Sequence, residues 1–281
     1  MDKLKEEQER IETIEDPEIV LNETGLAIWE VQDPIPVDTS NAETKFTNTY
    51  STVKLKNESK YQLTEEILAP DLEIKNKENI LIFHTHTCES YTSTNANNYQ
   101  MDGTYRTTDL NFNIARVGTE LENRLKEKGF NVIHNTMLHD YPAYSGSYNR
   151  SLETVQNILN KNKDYEIVID VHRDAVGNNN SYAPTVKIGD TYAAQLLFVI
   201  GTDGGGLSHP NWRNNLKFAI KVQEKANEMY PGLFKPIIVR NSRYNQNLAG
   251  EAVILEVGAT GNTLEQALIS MEYFSNVLSE I

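Results

Sequence analysis

Cysteine is nearly absent from this chain: Cys88 stands alone among 281 residues, so no internal disulfide can form and cysteine usage says nothing about redox compartment. Long apolar runs are missing as well. No stretch approaches the roughly 20 consecutive apolar residues that a membrane-spanning helix needs, and the opening Met1-Asp2-Lys3-Leu4-Lys5-Glu6-Glu7 has the pattern of neither a signal peptide nor an anchor. The chain as written is expected to be soluble. Clustered positive charge is also lacking. With 26 Lys and Arg against 40 Asp and Glu the formal net charge is −14, which argues against a nucleic-acid partner and against a nonspecific grip on an anionic polymer. Gly204-Gly205-Gly206 lacks the following Lys-Ser/Thr of a phosphate-binding loop, and no internal repeat or low-complexity tract is found.

What is present divides unevenly. Residues 1–70 are polar and charge-rich, with Asp33-Pro34-Ile35-Pro36 interrupting any helical periodicity. They read as an N-terminal extension, with a weak strand-pair signal over residues 50–55. Residues 71–281 read as one catalytic domain, because from Glu78 compact apolar runs alternate with helical patterns. The expected strands are 80–83, 130–134, 166–171, 237–240 and 252–257. A hairpin is expected between 185–188 and 194–200, turning at Gly189-Asp190. The expected helices are 111–128, 150–162, 212–229 and 263–278. The fold class is therefore α/β, a mixed and largely parallel central sheet with helices on both faces.

Three of these strands run into ionisable residues: 80–83 into His84-Thr85-His86, 167–171 into His172-Arg173-Asp174, and 253–255 into Glu256. In an open α/β sheet ligands bind beyond the carboxyl ends of the strands, so these side chains can meet in one crevice. Two histidines with carboxylates there have the composition of a catalytic zinc site that keeps one position open. Each residue has a plainer reading beside this one. A histidine at a strand end is often a hydrogen-bonded spectator, and Glu256 could be a buried ion-pair partner. Asp170 and Asp174 flank His172 and suit the orientation of its second ring nitrogen, or ordinary strand-end solvation. The polar segment containing Arg240, Arg243, Tyr244, Asn245 and Gln246 suits contacts to acetamido and carboxylate groups, although loops are polar by default.

The runs ILIFHTHTCESY (80–91), VIDVHRDA (168–175), FVIG (198–201) and VILEVGATGN (253–262) resemble the stage II sporulation protein P family, relatives of the zinc-dependent N-acetylmuramoyl-L-alanine amidases. The resemblance implies an amidase-like fold, one zinc ion, His86 and His172 as metal ligands and Glu256 as the catalytic base. For the remaining ligand it points to Asp109, counted back from Asn113-Ile114-Ala115. Glu89, three residues after His86, is the alternative, and Asp109 could equally be a helix N-cap. His84, Asp170, Arg173, Asn245 and Gln246 are the candidates for orienting the ligands or touching substrate.

The activity so implied is hydrolysis of the amide between N-acetylmuramic acid and L-alanine in peptidoglycan, with endopeptidase activity besides, during engulfment in sporulation. The implied partner is a lytic transglycosylase of the stage II sporulation protein D type. The implied place is the wall side of the mother-cell membrane, with this chain an ectodomain lacking its anchor. Two other readings stay open: a zinc carboxypeptidase-like peptidase using His86, Glu89 and His172, and a noncatalytic wall-binding module. A metallo-β-lactamase-like site is disfavoured, because His84-x-His86 is followed by Cys88-Glu89 rather than by Asp-His.

Overall fold

The computed structural model describes residues 45–100, 104–176 and 179–281. In chain order the strands are β1 (Asn48–Tyr50), β2 (Val53–Asn57), β3 (Asn79–Phe83), β4 (Asn131–His134), β5 (Ile167–Asp174), β6 (Thr185–Ile188), β7 (Thr191–Ala194), β8 (Leu196–Gly201), β9 (Ile237–Arg240) and β10 (Glu251–Ala259). The helices are α1 (Glu65–Leu68), α2 (Ile114–Glu127), α3 (Ser147–Lys161), α4 (Trp212–Met229) and α5 (Leu264–Ser279).

Eight strands form one sheet in the order β1-β2-β9-β8-β10-β5-β3-β4. The block β10-β5-β3-β4 is parallel throughout and so is β2-β9-β8, and the two blocks meet antiparallel at β8 and β10. The α/β class with a mixed, largely parallel sheet is thus the observed one. Side chains alternate across each strand. Ile80, Ile82, Ile167, Ile169, Val171, Val253, Leu255 and Val257 pack on the face covered by α2, α4 and α5. Leu81, Phe83, Val168 and Ala252 face the other way, against Val155 of α3.

Helix boundaries follow local chemistry. The Asn113 side chain accepts from Ala115 N–H and starts α2, and Gly129 ends that turn with φ +87. Thr263 and Gln266 form a reciprocal capping box on α5. The expected hairpin divides differently. Thr191–Ala194 pairs with Thr185–Ile188, but Leu196–Gly201 leaves for the main sheet. The physical reason is burial on both faces: the apolar run 196–200 suits a central strand, which a two-stranded arm cannot bury.

The sheet also begins earlier than composition suggests. Val53, Leu55, Leu63 and Leu68 are buried in the same core as α4, so residues 48–68 share the packing of the domain that was expected to start at 71. Charged residues at alternate positions, such as Lys54 and Lys56, mask this apolar face in a composition average. The expectations for residues 1–44 lie outside the described residues. Among the described residues no helix is long and apolar enough to cross a membrane.

Candidate active site

The sheet order places β10, β5 and β3 side by side, with Phe83 level with Asp170 and Glu256 level with His172. Their carboxyl ends therefore open into one crevice. Because Asp170, His172 and Glu256 alternate with the core residues Val171 and Leu255, they project on the face where α3 packs. The chain turns after Phe83, and Glu89 N–H closes that turn on the His86 carbonyl at 3.1 Å.

His172 and Glu89 meet there. His172 Nδ1 lies 3.6 Å from Glu89 Oε2, and that oxygen accepts the Arg173 backbone N–H at 3.0 Å. His172 Nε2 lies 2.9 Å from Asp170 Oδ1 but without the alignment of a hydrogen bond, so it counts as buried and unpartnered. Asp170 is itself held by Thr85, through N–H at 2.8 Å and Oγ1 at 2.6 Å. The His86 ring stands at 86° to that of His172, with centroids 5.2 Å apart. It lies flat against Tyr144 and edge-on to Tyr148. Its Nε2 is 3.0 Å from the Tyr144 hydroxyl and its Nδ1 3.3 Å from Ser147 Oγ. Glu256 Oε2 is buried with no hydrogen-bond partner.

The charges respond to this setting. Burial raises the Glu256 carboxyl to about 8, against the opposing pull of His172. For His172, burial pulls downward, but Asp170, Glu89 and Glu256 outweigh it and lift the ring to about 10. Burial, with His172 and Arg106 nearby, holds His86 well below the usual imidazole range. Glu89 is raised, chiefly by burial.

These residues suit a zinc ion in kind: two imidazoles and a carboxylate, all buried, beside the unpartnered Oε2 of Glu256. As they stand, no three His, Cys, Asp or Glu side chains among the described residues are close enough to enclose a metal.

The sequence matches the family model described as stage II sporulation protein P over residues 7–279. The chain belongs to that family. A curated relative, the stage II sporulation protein P of Bacillus subtilis (strain 168), is 27% identical over 228 residues, covering 73% of this chain and 51% of the relative. The chain thus spans about half the length of that relative. Similar solved structures include the CwlD amidase of Clostridioides difficile in complex with the GerS lipoprotein, at 13% identity and TM-score 0.44, covering 71% of this chain and 94% of that one. Another is the catalytic domain of CwlV, an N-acetylmuramoyl-L-alanine amidase from Bacillus (Paenibacillus) polymyxa, at 12% identity and TM-score 0.43, covering 74% and 95%.

In this family member, His86, His172, Glu89, Asp170 and Glu256 are gathered at the carboxyl ends of neighbouring interior strands, and other candidates stand apart from them. Asp109 is exposed, and its Oδ1 accepts from the backbone and side-chain amides of Asn111, both at 2.9 Å. His84 turns away from His86: its Nδ1 donates to the Val171 carbonyl at 2.9 Å and its Nε2 meets His134 Nε2 at 2.8 Å. Arg173 acts on the cluster through its backbone, while its guanidinium ties the Ser90 and Tyr105 carbonyls. Asn245 donates to the Tyr148 carbonyl and Ser151 Oγ, and Gln246 bridges Gly201 N–H and the Val199 carbonyl. Both amides are thus engaged within the fold. Tyr144, Ser147 and Tyr148 were not foreseen, since they reach His86 from a loop and a helix start that carry no spacing signal.

Proposed function

We propose that this chain is a zinc-dependent peptidoglycan hydrolase that cleaves the amide between N-acetylmuramic acid and L-alanine. The observation that carries the reading is the convergence of His86, Glu89, His172 and Glu256 at the carboxyl ends of adjacent strands, in a member of a sporulation protein family. His86, Glu89 and His172 would hold the metal. When bound, it supplies Lewis acidity toward a water and toward the scissile carbonyl.

The protein's own groups do the rest. Asp170 braces His172 from the side opposite Glu89, and the Arg173 N–H orients the Glu89 carboxylate. Glu256, level with His172 and with Oε2 free of any hydrogen-bond partner, takes a proton from the attacking water and hands it to the leaving amine. Family membership supports a role in engulfment on the wall side of the mother-cell membrane, with a stage II sporulation protein D-type lytic transglycosylase as partner.

The same three residues, His86, Glu89 and His172, are the ligand set of the peptidase reading, so endopeptidase activity belongs in the same test. Purified peptidoglycan is digested with the chain and with Glu256→Ala, zinc is assayed in both, and products are identified by mass spectrometry. Free stem peptides from the unmodified chain alone, with zinc in both proteins, are expected. Muropeptides cut only within the peptide would replace the amidase by a peptidase, and no products with no zinc would leave a wall-binding module.

A further inference from the structure

Amide hydrolysis is helped by a hydrogen-bond donor aimed at the carbonyl oxygen, where negative charge develops as water adds. Most polar side chains around the crevice are already committed. The Arg173 guanidinium holds the Ser90 and Tyr105 carbonyls, Arg106 is paired with Asp140, and Thr85 donates to Asp170. The amides of Asn245 and Gln246 are engaged within the fold. Tyr148 differs from these. It is partly exposed, and its hydroxyl has no hydrogen-bond partner among the described residues.

The ring of Tyr148 is fixed across the reacting end of the crevice. From the first turn of α3 it packs on Leu197, Val199 and Ile254. Leu197 is level with Glu256, and Val199 with Ile254, so Tyr148 lies on the sheet face that carries Glu256. The same ring meets His86 edge-on, with centroids 5.5 Å apart. It therefore spans from the strand of the proposed base to a proposed metal ligand, and the charges of Asp170 and Glu256 are both felt at its hydroxyl. A costly stretch of backbone holds it from the other side. Tyr244 and Asn245 have φ of 52 and 60, in the left-handed region that residues with a Cβ seldom adopt. That conformation sets the Tyr244 ring 5.9 Å from the Tyr148 ring and the Asn245 amide on the Tyr148 carbonyl at 2.7 Å. Backbone strain of this kind collects at functional sites.

We propose that Tyr148 is a further catalytic residue, whose hydroxyl donates to the carbonyl oxygen of the scissile amide as charge gathers there. A phenol ordinarily keeps its proton up to about pH 10, so at neutral pH it serves as a donor while Glu256 serves as the acceptor. The inference rests on the hydrolase reading above, and its test separates the two.

The decisive variant is Tyr148→Phe, which keeps the ring with its packing and removes only the hydroxyl. Steady-state kinetics are measured on a soluble muropeptide with the full chain supplied with zinc, alongside zinc content and near-ultraviolet circular dichroism. The expected result is a fall in kcat on the order of 10²- to 10³-fold, the usual cost of losing one such donor, with KM, zinc content and the circular dichroism spectrum unchanged. Unchanged kcat, or a rise in KM alone, overturns the inference and leaves the hydrolase reading intact, because a group that binds substrate and transition state equally does not act on the chemical step. Loss of zinc from Tyr148→Phe also overturns it, making the residue a prop for His86. A parent chain that releases no product from the muropeptide overturns the hydrolase reading and the inference with it.

Discussion

Glu89 is 7% exposed, with one oxygen 3.6 Å from His172 Nδ1, whereas Asp109 faces solvent with Oδ1 already accepting twice from Asn111. Spacing along the chain left these two carboxylates as rivals, because it records neither burial nor what else a carboxylate accepts. Their variants should separate. Glu89→Gln removes the charge a metal needs and is expected to lower zinc affinity at least 10- to 100-fold. Asp109→Ala is expected to leave zinc content unchanged and to cost about 0.5–1 kcal/mol through the lost turn hydrogen bonds. Zinc titration and urea unfolding of both proteins check this. Glu256 belongs to a different step. Glu256→Gln is expected to retain zinc while kcat falls by a factor on the order of 10² to 10⁴, which steady-state kinetics on a soluble muropeptide would show.

Helix α2 carries two demands on one surface. Ile114, Val117, Leu121 and Leu125 recur at helical spacing and are fully buried, so the helix was legible from periodicity alone. Gly118 on the same helix was not. A Cβ there would meet His134 Nε2 and His84 Nε2 at 2.6 Å, so the glycine leaves room for the two histidines, which meet edge to face and of which His84 holds the Val171 carbonyl beside His172. In an exposed helix Gly→Ala would stabilise by about 1 kcal/mol. Here the clash with buried rings outweighs that gain, and Gly118→Ala is expected to destabilise by about 1–3 kcal/mol, measured as a lowered urea midpoint. The same limit explains the divided hairpin. The apolar pattern of 194–200 marks a strand but not its partner, and pairing was decided by which neighbour could bury Leu196–Gly201 on both faces.

Taken through the whole chain, the carboxyl-end rule made the crevice legible, since it needs only strand ends with ionisable residues. What it could not supply was the strand order that makes β3, β5 and β10 neighbours, or the residues that reach His86 from outside those strands. Nor did it mark two buried groups away from the crevice that add to the way stability depends on pH. Glu251, at the start of β10, is 4% exposed with Oε2 unpartnered, and burial together with nearby Glu166 raises it to about 7 from 4.5. His209, 1% exposed with Nδ1 unpartnered, is lowered by burial and by Arg243 to about 4 from 6.5. Their signs oppose. Between pH 4.5 and 7 the folded Glu251 keeps a proton that the unfolded chain has lost, so stability falls as pH rises through that window. Between pH 6.5 and 4 the unfolded chain takes a proton that folded His209 refuses, so stability falls as pH drops through that one. Over the overlap the two slopes offset each other, and only a variant exposes them. Glu251→Gln removes the first, so it is expected to be more stable than the parent by roughly 2–3 kcal/mol at pH 8 and no more stable at pH 4. Urea unfolding of both proteins across that range tests it: an advantage that fails to grow between pH 4.5 and 7 would mean that Glu251 ionises as freely in the fold as in the unfolded chain.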